Sequence, residues 1–400
     1  MAQPDTAMTP IEEISARTTA LQAQLCRLDL DGALLAQNTD LFYFSGTLQQ
    51  SHLYVPAQGE PVLMVRKHLP RAQAESPLER IVALGSPREI PALLQRFGLP
   101  LPRRLGLELD VLPAQRYIGL CRLLPDAEMI DISDAVRQVR AVKSPYEIEK
   151  IKEAARRADA VQAAVPGLIE AGISEVALAG RIEAEARRLG HQGVVRMRLW
   201  GAELFYGHLM SGANAAAPSF LASPTGGRGL GPAVAQGPSL APVAAGVPIL
   251  VDYVFAYDGY LADQTRIYVI GKLPDTLRRA HEAMMTLQDE LAGRIRPGAV
   301  AGDLYQWSLE RAANLGYSEH FMGTTADRIR FVGHGIGLEL DEYPFLAQGQ
   351  SMELVEGMIV ALEPKLIFPE MGVVGIENTW LVTADGGRRL TQLPDGVVSV

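Results

Sequence analysis

The patterning of the chain predicts an α/β domain over residues 1–140 followed by an α+β domain over residues 141–400. Three observations carry this. Four hundred residues exceed what one ordinary hydrophobic core encloses. The first third alternates short apolar runs with helical segments. The remainder opens on well-capped helices and passes into long β-rich runs interrupted by acids.

Thr9-Pro10-Ile11-Glu12 reads as a helix start, with Thr9 as cap and Pro10 in the first turn. Ile11, Ile14, Leu21, Leu25 and Leu28 follow near helical spacing. Apolar runs at 32–36, 41–44, 53–55, 62–65, 81–84, 105–107 and 129–130 read as strands, with helical segments at 87–97 and 113–123 between them. Ser144-Pro145-Tyr146-Glu147 is a second start, with cap, proline and capping-box acid, opening a helix to about Ile169. Ser174 caps a further helix ending at Gly190. Residues 211–244 are rich in Gly, Pro, Ala and Ser without periodicity. A loop of that length predicts either a flap over a site or a solvated insertion.

Composition narrows the function. The chain is 48% hydrophobic and 21% charged with a net charge of −9 and a pI near 5.4, and no basic block follows a phosphate backbone, which disfavours nucleic acid as the main partner. No run reaches the roughly 18 apolar residues of a membrane span, and residues 1–8 lack a signal-peptide pattern. Cys26 and Cys121, the two cysteines, stand in no metal-binding or redox spacing and read as free thiols. A cytoplasmic enzyme acting on small molecules is expected.

The chemistry begins at residues 249–256 and 259–271, two β-rich runs meeting at Tyr257-Asp258-Gly259. Asp-Gly between such runs signals a hairpin. A two-residue loop, Tyr257-Asp258 or Asp258-Gly259, puts Asp252 and Asp263 on one face, opposite or one diagonal step apart; an odd loop separates them. Two acids on an otherwise apolar hairpin require a cation, a proton or basic partners. Alone, the pair is better explained by an ordinary ion pair or a solvated face.

Three further segments change that. Phe331-Val332-Gly333-His334-Gly335-Ile336-Gly337 sets a histidine between glycines, where backbone can approach closely. Residues 359–364 end an apolar strand on Glu363, and residues 373–378 do so again on Glu377. Asp252, Asp263, Glu363, Glu377 and His334 together form a hard, oxygen-rich site for Mn²⁺, Co²⁺, Fe²⁺ or Zn²⁺. Four carboxylates balance two divalent ions in charge, and two ions about 3.5–4 Å apart can share an activated water.

These segments, with Gly259-Tyr260-Leu261-Ala262-Asp263-Gln264-Thr265-Arg266, Gly333 to Glu339, Glu356-Gly357-Met358 and Ile376-Glu377-Asn378-Thr379, resemble the pita-bread metallopeptidases: prolidase, aminopeptidase P and, more distantly, methionine aminopeptidase and creatinase. The resemblance covers most of the chain. It implies a creatinase-like N-terminal domain before a pita-bread catalytic domain, and hydrolysis of the bond before proline in a small peptide by a metal-bridging hydroxide. It also implies two Mn²⁺ or Co²⁺ ions, with Zn²⁺ or Fe²⁺ as alternatives, and a homodimer. Asp252 would chelate one ion, Asp263 and Glu377 bridge both, and His334 and Glu363 complete the shell of the second ion, with Glu363 also the general base.

The departures lie in the substrate shell. Ser219 stands where peptidase members carry a histidine, Asp341 replaces a second histidine seven positions after His334, and Gly375 replaces an arginine two positions before Glu377. Val254 takes the place of a glycine two positions after Asp252, and Arg330 stands where relatives often place histidine. His208 is then expected to supply the missing imidazole and Arg330 to hold a substrate carboxylate, with Asp341 also in the substrate shell. The competing classes are a metal-dependent hydrolase or lyase of a non-peptide small molecule, and a noncatalytic binding module. The second is disfavoured because four clustered acids without a cation destabilise the fold.

Overall fold

The computed structural model describes residues 8–204, 206–324 and 328–400, and the chain divides into two compact units after Arg140. In the first unit six strands form one mixed sheet, in the order Ile81–Ala83, Val62–Val65, Ser51–Pro56, Gly32–Leu35, Arg104–Leu107, Glu128–Asp131. Leu34, Tyr54, Met64, Leu105 and Leu107 from the strands pack with Ile90, Leu94 and Leu120 from the flanking helices into its core.

Two expectations change here. The first helix is Ile11–Arg27, and Pro10, not Thr9, occupies its cap position with no side-chain bond. Residues 41–44 belong to a helix, Asn38–Ser45, not a strand. Gln37 caps it, its side-chain oxygen accepting from the Asp40 N–H at 2.8 Å, and Gly46 ends it in the left-handed region at φ 75°.

In the second unit the capping box forms as expected, with Glu147 N–H donating to Ser144 Oγ and Ser144 N–H to Glu147 Oε2, each at 3.2 Å. The helices Pro145–Ala164 and Glu175–Arg188 back a four-stranded sheet ordered Val398–Ser399, Tyr260–Val269, Ile249–Tyr257, Gly207–Ser211. Val161, Leu178 and Ile182 meet Ile249, Val251, Phe255 and Tyr268 in that core. The helices Asp275–Ala292 and Ala301–Asn314 share a second core with a five-stranded sheet, where Met284 and Leu287 join Val332, Leu346, Val360 and Leu362. A two-stranded hairpin, Lys365–Phe368 with Gly372–Gly375, lies between two strands of that sheet in sequence. The two larger sheets meet at an antiparallel bridge between Thr265 and Glu377. Acids from one sheet are thereby carried to acids from the other.

The loop at 211–244 is pinned. Glu175, fully buried at the start of its helix, accepts from Ser211 N–H (2.6 Å) and Oγ (2.8 Å), Asn214 Nδ2 (2.5 Å), and Ser239 N–H (2.8 Å) and Oγ (2.7 Å). The free N–H groups of that helix start are met by loop carbonyls, Glu175 N–H by Ala241 O and Val176 N–H by Ser239 O.

Candidate metal centre

The hairpin turn is the two residues Asp258-Gly259, since Tyr257 pairs with Tyr260. Asp258 at φ 51° and Gly259 at φ 88° supply the left-handed pair that such a turn requires. Asp252 therefore sits opposite Thr265 and Asp263 opposite Val254, one diagonal step apart on one face as the even loop predicts.

His334 lies on the strand Phe331–Ile336, which bulges between His334 and Gly335. A Cβ on Gly333 would fall 2.5 Å from Ala361 O and one on Gly335 2.1 Å from Tyr343 O, so only glycines let both neighbouring strands approach this histidine. Glu363 follows the strand Ile359–Leu362, its N–H held by Val332 O at 3.0 Å. Glu377 is fixed at three points: its Oε2 accepts from Thr265 Oγ1 at 2.9 Å, and its carbonyl accepts from Arg266 Nη1 at 3.0 Å and from Thr265 N–H at 3.3 Å.

His334 Nε2 stands 3.7 Å from Glu377 Oε1, 3.8 Å from Glu363 Oε1 and 4.0 Å from Asp263 Oδ2. These separations are too long for hydrogen bonds and suit one cation among the four groups. Asp263, His334 and Glu377 offer ligand atoms all within 4.8 Å of one another. The donors are hard oxygens with one imidazole, the set a divalent first-row ion takes. A divalent cation fits these residues.

A group the sequence reading missed lies beside them. Lys365, with no solvent exposure, places Nζ 2.7 Å from Glu363 Oε2, 2.9 Å from Glu377 Oε2 and 3.1 Å from Asp252 Oδ2. Its spacing from Glu363, two positions along an extended segment, puts both side chains on one face. That spacing was visible in the sequence, but a lysine after a proline reads as an edge residue.

The electrostatics follow from burial and these cations. Burial pushes Asp252 up to about 6, with Lys365 opposing and Glu377 adding to the rise. Burial pushes Glu363 up to about 7, again against Lys365, and raises Asp263 well above the carboxylate range, reinforced by Glu377 and Asp252. For Glu377 burial acts in the same sense but is outweighed by Lys365 and His334, which hold it at about 2. His334 is the reverse case: burial disfavours its charge, while Asp341, Glu377 and Glu363 raise it well above an ordinary imidazole.

A cavity of about 350 Å³ opens onto this cluster. Asp252, Asp263, His334, Glu363 and Glu377 line one end, and Met197, Trp200, Phe220, Leu221, Phe331 and Leu340 give it apolar walls. The tip of the glycine-rich loop, Phe220 to Ser223, thus forms part of the wall, as a flap would.

The three expected substrate residues separate. His208 lines the cavity, sits opposite Asp252 in the strand register and leaves its buried Nε2 without a partner; burial, then Lys365, pulls it down to about 4. Asp341 lines the cavity with Oδ1 3.6 Å from His334 Nδ1. Arg330 is exposed and is not among the lining residues, whereas its neighbour Phe331 is.

The sequence comparisons agree with this geometry. Residues 149–384 match metallopeptidase family M24, and residues 17–142 match the creatinase/prolidase N-terminal domain. The chain belongs to the M24 metallopeptidases, with the creatinase-like domain ahead of the pita-bread catalytic domain. It is 27% identical over 370 residues to a Xaa-Pro dipeptidase of Pyrococcus horikoshii, covering 91% of this chain and 93% of that one. A Xaa-Pro dipeptidase structure from Bacillus anthracis superposes with a TM-score of 0.82 at 24% identity, covering 97% of this chain and all of that one. An X-Pro aminopeptidase from Thermotoga maritima gives 0.78 at 23% identity, covering 94% of this chain and 100% of the other. Among the described residues no helix is long and apolar enough to cross a membrane.

Proposed function

We propose that this protein is a metal-dependent Xaa-Pro peptidase, hydrolysing the bond before proline in dipeptides or at the amino end of short peptides. The observation that carries the proposal is the convergence of Asp263, Glu363, Glu377 and His334 at one end of a small, apolar-walled cavity. A cavity of about 350 Å³ lies at the small end of ligand sites, which favours a short peptide over a folded chain. The names of its relatives support the same substrate class.

Asp263, His334, Glu363 and Glu377 would hold the metal, Mn²⁺ or Co²⁺ by preference given the oxygen-rich donors. An ion held there would supply Lewis acidity to the scissile carbonyl and a lowered pKa to water. Glu363, beside the site of the water, would accept the proton that water releases as it adds to the carbonyl carbon and return it to the departing proline nitrogen. Phe331, Leu340 and Leu221 line the cavity and would exclude water around a bound proline ring. His208 Nε2 donates to, or accepts from, the polar groups of the bound peptide. By resemblance the enzyme works as a cytoplasmic homodimer, which light scattering of the purified protein would check.

A panel of Xaa-Pro dipeptides and Xaa-Pro-Xaa tripeptides, with and without added Mn²⁺ or Co²⁺, tests the proposal. Metal-dependent release of the first residue is expected. Cleavage of dipeptides alone assigns a prolidase, and cleavage of longer chains alone an aminopeptidase. Metal binding with no turnover of any peptide would reject the reading in favour of a non-peptide substrate.

A further inference from the structure

The geometry points to Lys365 as a built-in replacement for one of two metal ions, so that the centre takes a single divalent cation at Asp263, His334, Glu363 and Glu377. The inference rests on the peptidase reading above and departs from the two-ion balance that the four carboxylates suggest on their own.

The Lys365 ammonium touches Asp252, Glu363 and Glu377, each through one carboxylate oxygen. An ion bound to those same oxygens would sit beside the ammonium, and the repulsion between the two cations disfavours it. The remaining oxygens of Glu363 and Glu377 face His334 Nε2 instead. The acids thus divide their oxygens between a fixed cation on one side and a space for an ion on the other. Among the described residues the cluster able to hold a metal comprises Asp263, His334 and Glu377, with both Asp252 and Glu363 outside it; Glu363 joins through Oε1, 3.8 Å from His334 Nε2. Asp252 is engaged by the lysine.

The fold makes room for this lysine. Lys365 pairs directly with Gly375 across the hairpin. A Cβ on Gly375 would lie 2.6 Å from Lys365 Cα and 2.9 Å from its Cγ, and the glycine sits at φ 154°. A side chain at 375 would displace the lysine stem. The cation next to the last acid therefore comes from position 365, and the small residue opposite is its steric counterpart. With no solvent exposure, the ammonium has no route to water that avoids breaking three charge-assisted contacts.

The test is metal stoichiometry of the full chain, by elemental analysis after equilibration with excess Mn²⁺ and removal of loose ions, read together with the Mn²⁺ spin-resonance spectrum. The wild type is expected to hold one ion per chain with the spectrum of an isolated Mn²⁺. Lys365→Met, which keeps the stem and removes the charge, is expected to hold two, with the spectrum of a coupled pair. Two ions per wild-type chain overturn the inference and leave the peptidase reading standing. No ion in the wild type overturns both. One ion in a folded Lys365→Met variant shows that the lysine does not stand in for a metal and overturns the inference alone. If that variant does not fold, the wild-type count still decides.

Discussion

Replacing Glu175 with glutamine tests whether the loop that walls the cavity is held from beneath. Its two carboxylate oxygens, fully buried, accept five hydrogen bonds from Ser211, Asn214 and Ser239. Glutamine keeps one acceptor and turns the other oxygen into a donor. If the amide oxygen stays toward Ser211, the new NH₂ faces Asn214 Nδ2 and the Ser239 N–H; the Ser239 hydroxyl can rotate to accept, but those two donors cannot. If it flips, the Ser211 N–H is stranded instead. Each buried donor left unsatisfied costs about 1–3 kcal/mol, so a loss of about 2–4 kcal/mol is expected for Glu175→Gln, measured by urea denaturation. Phe220 and Leu221 line the cavity from the same loop, so KM should rise more than kcat falls. Amide exchange at 211–239 should accelerate while exchange in the five-stranded sheet does not. A loss below about 0.5 kcal/mol with unchanged exchange would refute the claim that Glu175 organises this loop.

Other perturbations have equally definite outcomes. His208→Ala removes a cavity imidazole whose Nε2 is unpartnered, and kcat/KM for a preferred Xaa-Pro substrate should fall by about 3- to 10-fold, the worth of one neutral hydrogen bond; an unchanged value rules out contact with substrate. Arg266→Met breaks a buried ion pair with Asp395 at 3.1 Å and the bond to the Glu377 carbonyl, and should cost about 3–5 kcal/mol of stability while weakening Mn²⁺ binding in calorimetry. His191 is held near 4 by burial, the Val254 carbonyl contact partly opposing and Arg187 adding to the fall. Its folded pKa is depressed below the unfolded value of about 6.5, so the unfolded chain binds more protons between the two. Its contribution is complete above about pH 6.5 and is lost as pH falls toward 4. In His191→Asn the slope of unfolding free energy against pH should drop by up to about 1.4 kcal/mol per unit between pH 5 and 6. An identical slope in the two proteins would show that His191 is protonated when folded.

Local signals in the sequence carried much of this. The Asp-Gly pair signalled a hairpin and left its loop length open; the observed two-residue loop gives Asp252 and Asp263 a shared face, as strand alternation requires. The glycines around His334 foretold close backbone approach, and the Ala361 and Tyr343 carbonyls are what approach. The capping box at Ser144 formed because its bonds lie within four residues. The failures share a cause in non-local partners. Four apolar residues at 41–44 do not distinguish a strand from a helical turn; the deciding groups were Gln37 and Gly46. Lys365 escaped notice because its meaning depends on Asp252, Glu363 and Glu377 meeting from different strands, and on Gly375 leaving space across the hairpin. The role of Glu175 is not legible beside its cap, Ser174, because its donors lie 36 to 64 positions away.

The central claim is that a divalent ion sits among Asp263, His334, Glu363 and Glu377. Anomalous diffraction from crystals equilibrated with Mn²⁺ addresses it directly. A strong peak is predicted about 2.0–2.2 Å from His334 Nε2 and from the facing carboxylate oxygens. No peak there, or one only at surface acids, would contradict the account.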